Sequence, residues 1–140
     1  MSLPGRERNF HIFYQLCAGA SRAQKAEFDL TSARDFHYLN QSSCLEVDGM
    51  DDAAEFKITC EALQTLNFSE SEQNNLISVV AGILHLGNIK FEDNAKDCAE
   101  VSLSSRTGIA SAARLLGIVG GSTALAKALT TKIIHPPHAG

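Results

Sequence analysis

The sequence predicts a mainly α fold, with about five to six helices around one core and short strand segments near 88–91, 100–103 and 130–134. Three features carry that expectation. Apolar residues recur at helical spacing, most regularly in Phe56, Cys60, Leu63 and Leu66 and in the run Leu76, Ile77, Val79, Val80, Ile83 and Leu84. Ser69-Glu-Ser-Glu72 has the form of a capping box at the start of the second of these segments. A length of 140 residues suits a single core and gives little reason to expect two.

The first helix is expected over 7–18, with Phe10, Phe13, Tyr14 and Cys17 on one stripe. Ile12 and Leu16 widen its apolar face beyond what a surface helix needs, so they are expected to point away from the stripe toward another partner. Gly19 reads as its stop, and a short polar helix over 21–28 follows. Residues 29–50 mix Asp, Ser, Asn and Gly with isolated aromatics and read as an ordered connector held by Phe36, Tyr38 and Leu39. The third helix begins near Asp51, where Asp51 or Asp52 can cap the free amides and Glu55 resembles the acidic end of a capping box. The fourth, apolar on nearly every turn, is expected to be the central core helix, stopped by a left-handed Gly87. After "NIKF" at 88–91 comes a polar excursion at 93–107. A fifth helix over 108–116, the break "GIVGGS" and a sixth helix capped by Ser122 complete the order, before "TTKII" at 130–134 and two prolines. Residues 1–4 read as an added or linking segment, 5–134 as one helical body and 135–140 as a flexible tail.

Composition removes several function classes. Residues 1–44 carry five bases and four acids, 45–105 three bases and twelve acids, and 106–140 four bases and no acid. An acidic middle without a cationic stripe gives no footing for nucleic acid. No apolar stretch is long enough to span a bilayer and no basic-then-apolar leader is present, so a cytoplasmic chain without membrane contact is expected. Cys17, Cys44, Cys60 and Cys98 are too widely spaced for a Cys-x-x-Cys metal pair and read as free thiols. The triplets Asn40-Gln-Ser42 and Asn67-Phe-Ser69 match a glycosylation pattern that has no use in a cytosol.

Catalytic chemistry finds no place either. "GIVGGST" at 117–123 has the glycines of a phosphate cradle but no Lys after them, and the preceding "AARLL" is helical where a phosphate loop needs a strand. Of the five histidines only His135 and His138 lie close together, without a third ligand. His11 and His85 sit in apolar helices, where a histidine bonded to a neighbour is the ordinary finding, and Asp51-Asp52 serves a helix start. No catalytic, cofactor-binding or metal residue is assigned, and the chain alone is expected not to be an enzyme.

The segment "ERNFHIFYQLCAG" resembles the ERNFHIFYQLLAG-type stretch of myosin motor heads. In the same order follow "DFHYLNQSSCLEVDGMDDAAEFKIT", "ALQTLNFSESEQNNLISVVAGILHLGNIKF" and the elements "LLGI" and "LAKALTTKII", so the resemblance covers nearly all of 5–134. It implies an internal segment of the upper fifty-kilodalton subdomain of an actin-based, ATP-driven motor. The family's phosphate loop and both switches are missing from these residues, so no ATPase residue carries over and Mg-ATP would belong to the parent protein. The resemblance also aligns residues 93–100 with a surface loop near the actin-binding face, which makes Asp93, Asn94, Lys96 and Asp97 the candidate actin-facing residues; a solvated turn without contact is the competing reading. Ile12 and Leu16 would meet the remainder of the head, the other implied partner, and a cytoskeletal location follows. A free-standing helical adaptor that dimerises through its first helix is the alternative, and for either reading the isolated chain is expected to self-associate unless that helix is covered.

Overall fold

The computed structural model describes residues 7–41, 43–94 and 99–131. Within them six α-helices and one two-stranded hairpin follow in order: α1 (His11–Gly19), α2 (Arg22–Glu27), α3 (Asp52–Thr65), α4 (Glu70–Gly87), β1 (Phe91–Asp93), β2 (Ala99–Val101), α5 (Arg106–Leu115) and α6 (Gly121–Thr130). One-turn 3-10 helices at Ala33–Asp35 and Leu103–Ser105 sit in the connector and ahead of α5. The fold is mainly α, as the apolar spacing requires.

Side-chain caps set the starts of α2, α3 and α4. Ser69 Oγ accepts from the Glu72 amide while the Glu72 carboxylate accepts from the Ser69 amide, the reciprocal box expected for α4. Ser21 and Gln24 do the same for α2. Asp51 accepts from the amides of Ala53 and Ala54 at α3, and Asp52 is thereby free for another partner. Ser122 does not cap α6; Gly120 holds that position at φ +88°, in a turn where Gly117 and Gly121 are also left-handed.

Gly19 ends α1 as expected, whereas Gly87 ends α4 without being left-handed. Both are places of close approach: a Cβ on Gly19 would lie 2.5 Å from the Phe56 Cβ, and one on Gly87 2.7 Å from the Tyr38 ring. The strands are displaced from their expected places, β1 by three residues and β2 by one in the opposite sense, because Ile89 is spent on a turn back to the Leu86 carbonyl. At 130–134, Thr130 closes α6 and Thr131 is extended, while 132–134 lie outside the described residues.

The main core gathers α1, α3, α4 and the connector around Tyr14, Leu16, Phe36, Leu39 and Leu84, all buried. A second, smaller cluster of Ile89, Ile109, Ala112, Ala113 and Leu125 joins α5 and α6 to the base of the hairpin. α4 is not buried all round: Ile77, Ala81, Leu84 and His85 face inward, whereas Leu76, Val79 and Ile83 are exposed on the other side. Leu66, expected on the core stripe of α3, is 68% exposed beyond the helix end. Of the nine aromatics Phe13, Tyr14, Phe28, Phe36 and Phe56 are buried; Phe10, Tyr38, Phe68 and Phe91 remain exposed.

Candidate functional site

The hairpin grows from the end of α4. Phe91, Glu92 and Asp93 pair antiparallel with Val101, Glu100 and Ala99, and no third strand joins them among the described residues. Its base is sewn to the start of α5: the Ser102 amide donates to the Lys90 carbonyl at 2.9 Å and the Lys90 amide to Ser105 Oγ at 2.8 Å. Ser102 and Ser105 are buried, so satisfied polar groups hold the base beside the small apolar cluster.

Asp93 ends β1 and Asn94 follows it, its amide donating to Glu100 Oε1 at 2.7 Å. Lys96 and Asp97 lie outside the described residues. The resemblance did not single out Glu92 and Glu100, which face each other directly across the strands. Like charges so placed repel, and with Asp93 they make the described part of the hairpin an anionic surface. Strand alternation could have found the pair only once the register was known.

The first helix corrects the sequence expectation. Leu16 is 1% exposed and Ile12 is half-buried, because α3 lies across them where Gly19 admits Phe56. The outward residue is Phe10, 74% exposed and edge-on to Phe13 at 6.3 Å. Ile12 and Leu16 instead form one wall of an apolar groove of about 170 Å³ whose other walls are Phe56, Cys60, Leu76 and Val80. Leu76 connects that groove to the exposed ridge of α4.

Two polar tie points escaped the sequence. Arg8 sends Nη2 to both carboxylate oxygens of Asp52, at 2.9 and 2.8 Å, and lies 3.9 Å over the Tyr14 ring. Its side chain is 2% exposed and its Nε–H has no partner. Asp29, left-handed at φ +53°, accepts from Ser111 Oγ and Arg114 Nη2, each at 2.7 Å. The Ser111 hydroxyl, first, and the Arg114 guanidinium hold its carboxyl below the usual range. Asp51-Asp52 in the sequence hinted at a helix start, but nothing marked Arg8 as the partner across 44 positions.

Nothing in the described residues assembles as a reaction centre. Burial pushes the Cys17 thiol up to about 12 and also raises that of Cys60, so neither is a thiolate at neutral pH. His85 donates Nε2–H to the Phe28 carbonyl at 2.9 Å and packs edge-on against Phe36, while His11 is exposed. No group of three His, Cys, Asp or Glu comes together among the described residues, and none of their helices is long and apolar enough to cross a membrane. The glycine turn at 117–121 joins helix to helix and does not fit a phosphate, for no strand feeds it and no Lys lies in it.

Comparison with known proteins completes the picture. The family model described as myosin head (motor domain) matches residues 2–138. The chain is 44% identical over 110 residues to the myosin ID heavy chain of Dictyostelium discoideum, covering 79% of this chain and 10% of that protein. It is 50% identical over 95 residues to the myosin heavy chain IB of Acanthamoeba castellanii, covering 68% and 8% respectively. To the myosin IB heavy chain of Dictyostelium discoideum it is 39% identical over 137 residues, 98% of this chain and 12% of that one. The chain thus spans only a small part of the length of these relatives.

Proposed function

This chain belongs to the myosin head (motor domain) family, and from that premise we propose that it is an internal segment of an actin-based, ATP-driven motor head in the cytoplasm. Its helical body stands beside the nucleotide switches, and its hairpin is a surface loop at the actin side, with Asp93, Asn94, Lys96 and Asp97 as the facing residues. Mg-ATP and its catalytic residues belong to the rest of the parent protein, and the segment alone has no catalytic activity. The observation that carries this is the match of 2–138 to the head model, set against a coverage of only 8–12% of the relatives named above.

The exposed apolar ridge of α4, Leu76, Val79 and Ile83, supports the same reading. Together with the groove beside it, the ridge is the surface on which the remainder of the head packs, a role first expected of Ile12 and Leu16. The alternative, an adaptor dimerising through its first helix, loses Leu16 as a contact, since that side chain is already buried within the chain.

The test is replacement. Residues 5–131 of this chain are placed in the head of the Dictyostelium myosin IB heavy chain in place of its corresponding segment, and actin-activated ATP hydrolysis by the chimaeric head is measured. Retained activation supports the reading. A folded chimaera that hydrolyses ATP but no longer responds to actin refutes the role of the hairpin, and one without any hydrolysis refutes the motor reading.

A further inference from the structure

α3 and α4 follow each other through the short loop 66–69, where Asn67 is left-handed at φ +62°. Helices joined so closely ordinarily pack together as an antiparallel pair. These two do not: α3 packs on α1 and α4 on α5, and the apolar groove of about 170 Å³ lies between them. Phe56, Cys60 and Leu63 form one bank, Leu76 and Val80 the other, and the buried Leu16 closes the floor. Leu76 also belongs to the exposed ridge with Val79 and Ile83, so one apolar surface runs from the groove onto the outer side of α4.

The walls decide what kind of segment fits. All are helices whose backbone groups bond within themselves, and Thr59, the one hydroxyl on the walls, already donates to the Glu55 carbonyl at 3.0 Å. An extended segment laid in the groove would bury amides and carbonyls with nothing to pair them, whereas an α-helix satisfies its own. The space takes one large apolar side chain, since a cavity of about 150 Å³ holds a benzene ring. The ridge, apolar at i, i+3 and i+7, takes a matching helical stripe. Charge narrows the choice further. Glu72, one turn ahead of Leu76, and Glu55, beside Phe56, are exposed, and Lys57, the only Lys or Arg of the two helices, lies 3.7 Å from Glu61. The edges of the groove are therefore anionic.

We infer that the occupant is an amphipathic α-helix from elsewhere in the parent head. It inserts one side chain the size of leucine or phenylalanine between α3 and α4, lays an apolar stripe on the ridge and carries Lys or Arg along its edges. The relatives extend far beyond the 8–12% of their length that this chain covers, so there is ample chain to supply it. The inference rests on the reading of this face as the seat of the rest of the head, and adds to it the form and charge of what sits there.

The full chain is titrated with an 18-residue peptide, the length of α4, that carries leucine at helical spacing and lysine on both edges of the leucine stripe. NMR follows the methyl groups of Leu63, Leu76 and Val80, and circular dichroism follows the peptide. Saturable binding is expected, with shifts at those methyls and a gain of helix in the peptide. Replacing the peptide's lysines by glutamate, or Val79→Lys in the chain, is each expected to weaken binding about tenfold. Cys60→Phe fills the groove from its α3 bank and is expected to weaken the lysine peptide by a similar factor; should that variant not fold, Val79→Lys, at an exposed position, carries the same comparison. The segment replacement reads ATP hydrolysis and the titration reads the groove in the chain alone, so the motor reading and the helix fail separately. No saturable binding, equal affinity for the glutamate peptide, binding without gain of helix, or binding indifferent to the variants would each overturn the inference.

Discussion

Truncating two leucines of one helix measures directly how α4 is divided between core and surface. Leu84 is fully buried in the main core, and Leu76, eight residues earlier on the same helix, is 45% exposed at the lip of the apolar groove. Helix propensity cancels in the comparison, because both changes are Leu→Ala within α4. For Leu84→Ala the lost transfer energy adds to the cavity left in the main core, placing the cost at about 3–5 kcal/mol. For Leu76→Ala roughly half the side chain was already in water and the groove is open, so no enclosed void forms and the cost is about 1 kcal/mol or less. With a urea slope of about 2 kcal/mol per M, the midpoints should fall by roughly 1.5–2.5 M and by at most about 0.5 M. Equal shifts would mean that α4 is buried all round, as its composition alone suggests, and that the exposed ridge proposed to meet the rest of the head does not exist.

Asp52→Asn should cost about 3–5 kcal/mol in thermal or urea unfolding, because it leaves the Arg8 guanidinium buried without its counter-charge. A loss below about 1 kcal/mol would show that the pair behaves as an exposed surface bridge. The pH dependence of stability carries the signature of Asp29, whose carboxyl is held below its ordinary 3.8 by Ser111 and then Arg114. A lowered folded value means that the contribution is fully present above 3.8 and is lost as the pH falls through the folded value, so Asp29→Asn should flatten the acid limb only below about pH 4. An unchanged acid limb in equilibrium unfolding would show that the carboxylate gains nothing from its two donors.

Much of this protein was determined within short windows of sequence. The box at Ser69 and Glu72, the cap at Asp51 and the glycine turn between α5 and α6 are decided by neighbours a few residues apart, so they are visible without a fold. Family membership was legible for a related reason: it rests on long ordered segments such as "ERNFHIFYQL" and "ILHLGNIKF", which need no coordinates. What periodicity could not decide was direction. α1 and α4 each carry more apolar residues than one face holds, and only the crossing of α3 over α1, admitted by Gly19 against Phe56, determines that Leu16 is buried while Phe10 is not. The same limit hid the polar ties. Arg8 meets Asp52 across 44 positions and Asp29 meets Ser111 across 82, and a charged residue in a loop looks alike in sequence whether it faces water or a partner. Caps and turn hydrogen bonds are local in the chain, but burial and long-range polar pairing belong to whichever surfaces the tertiary fold brings together.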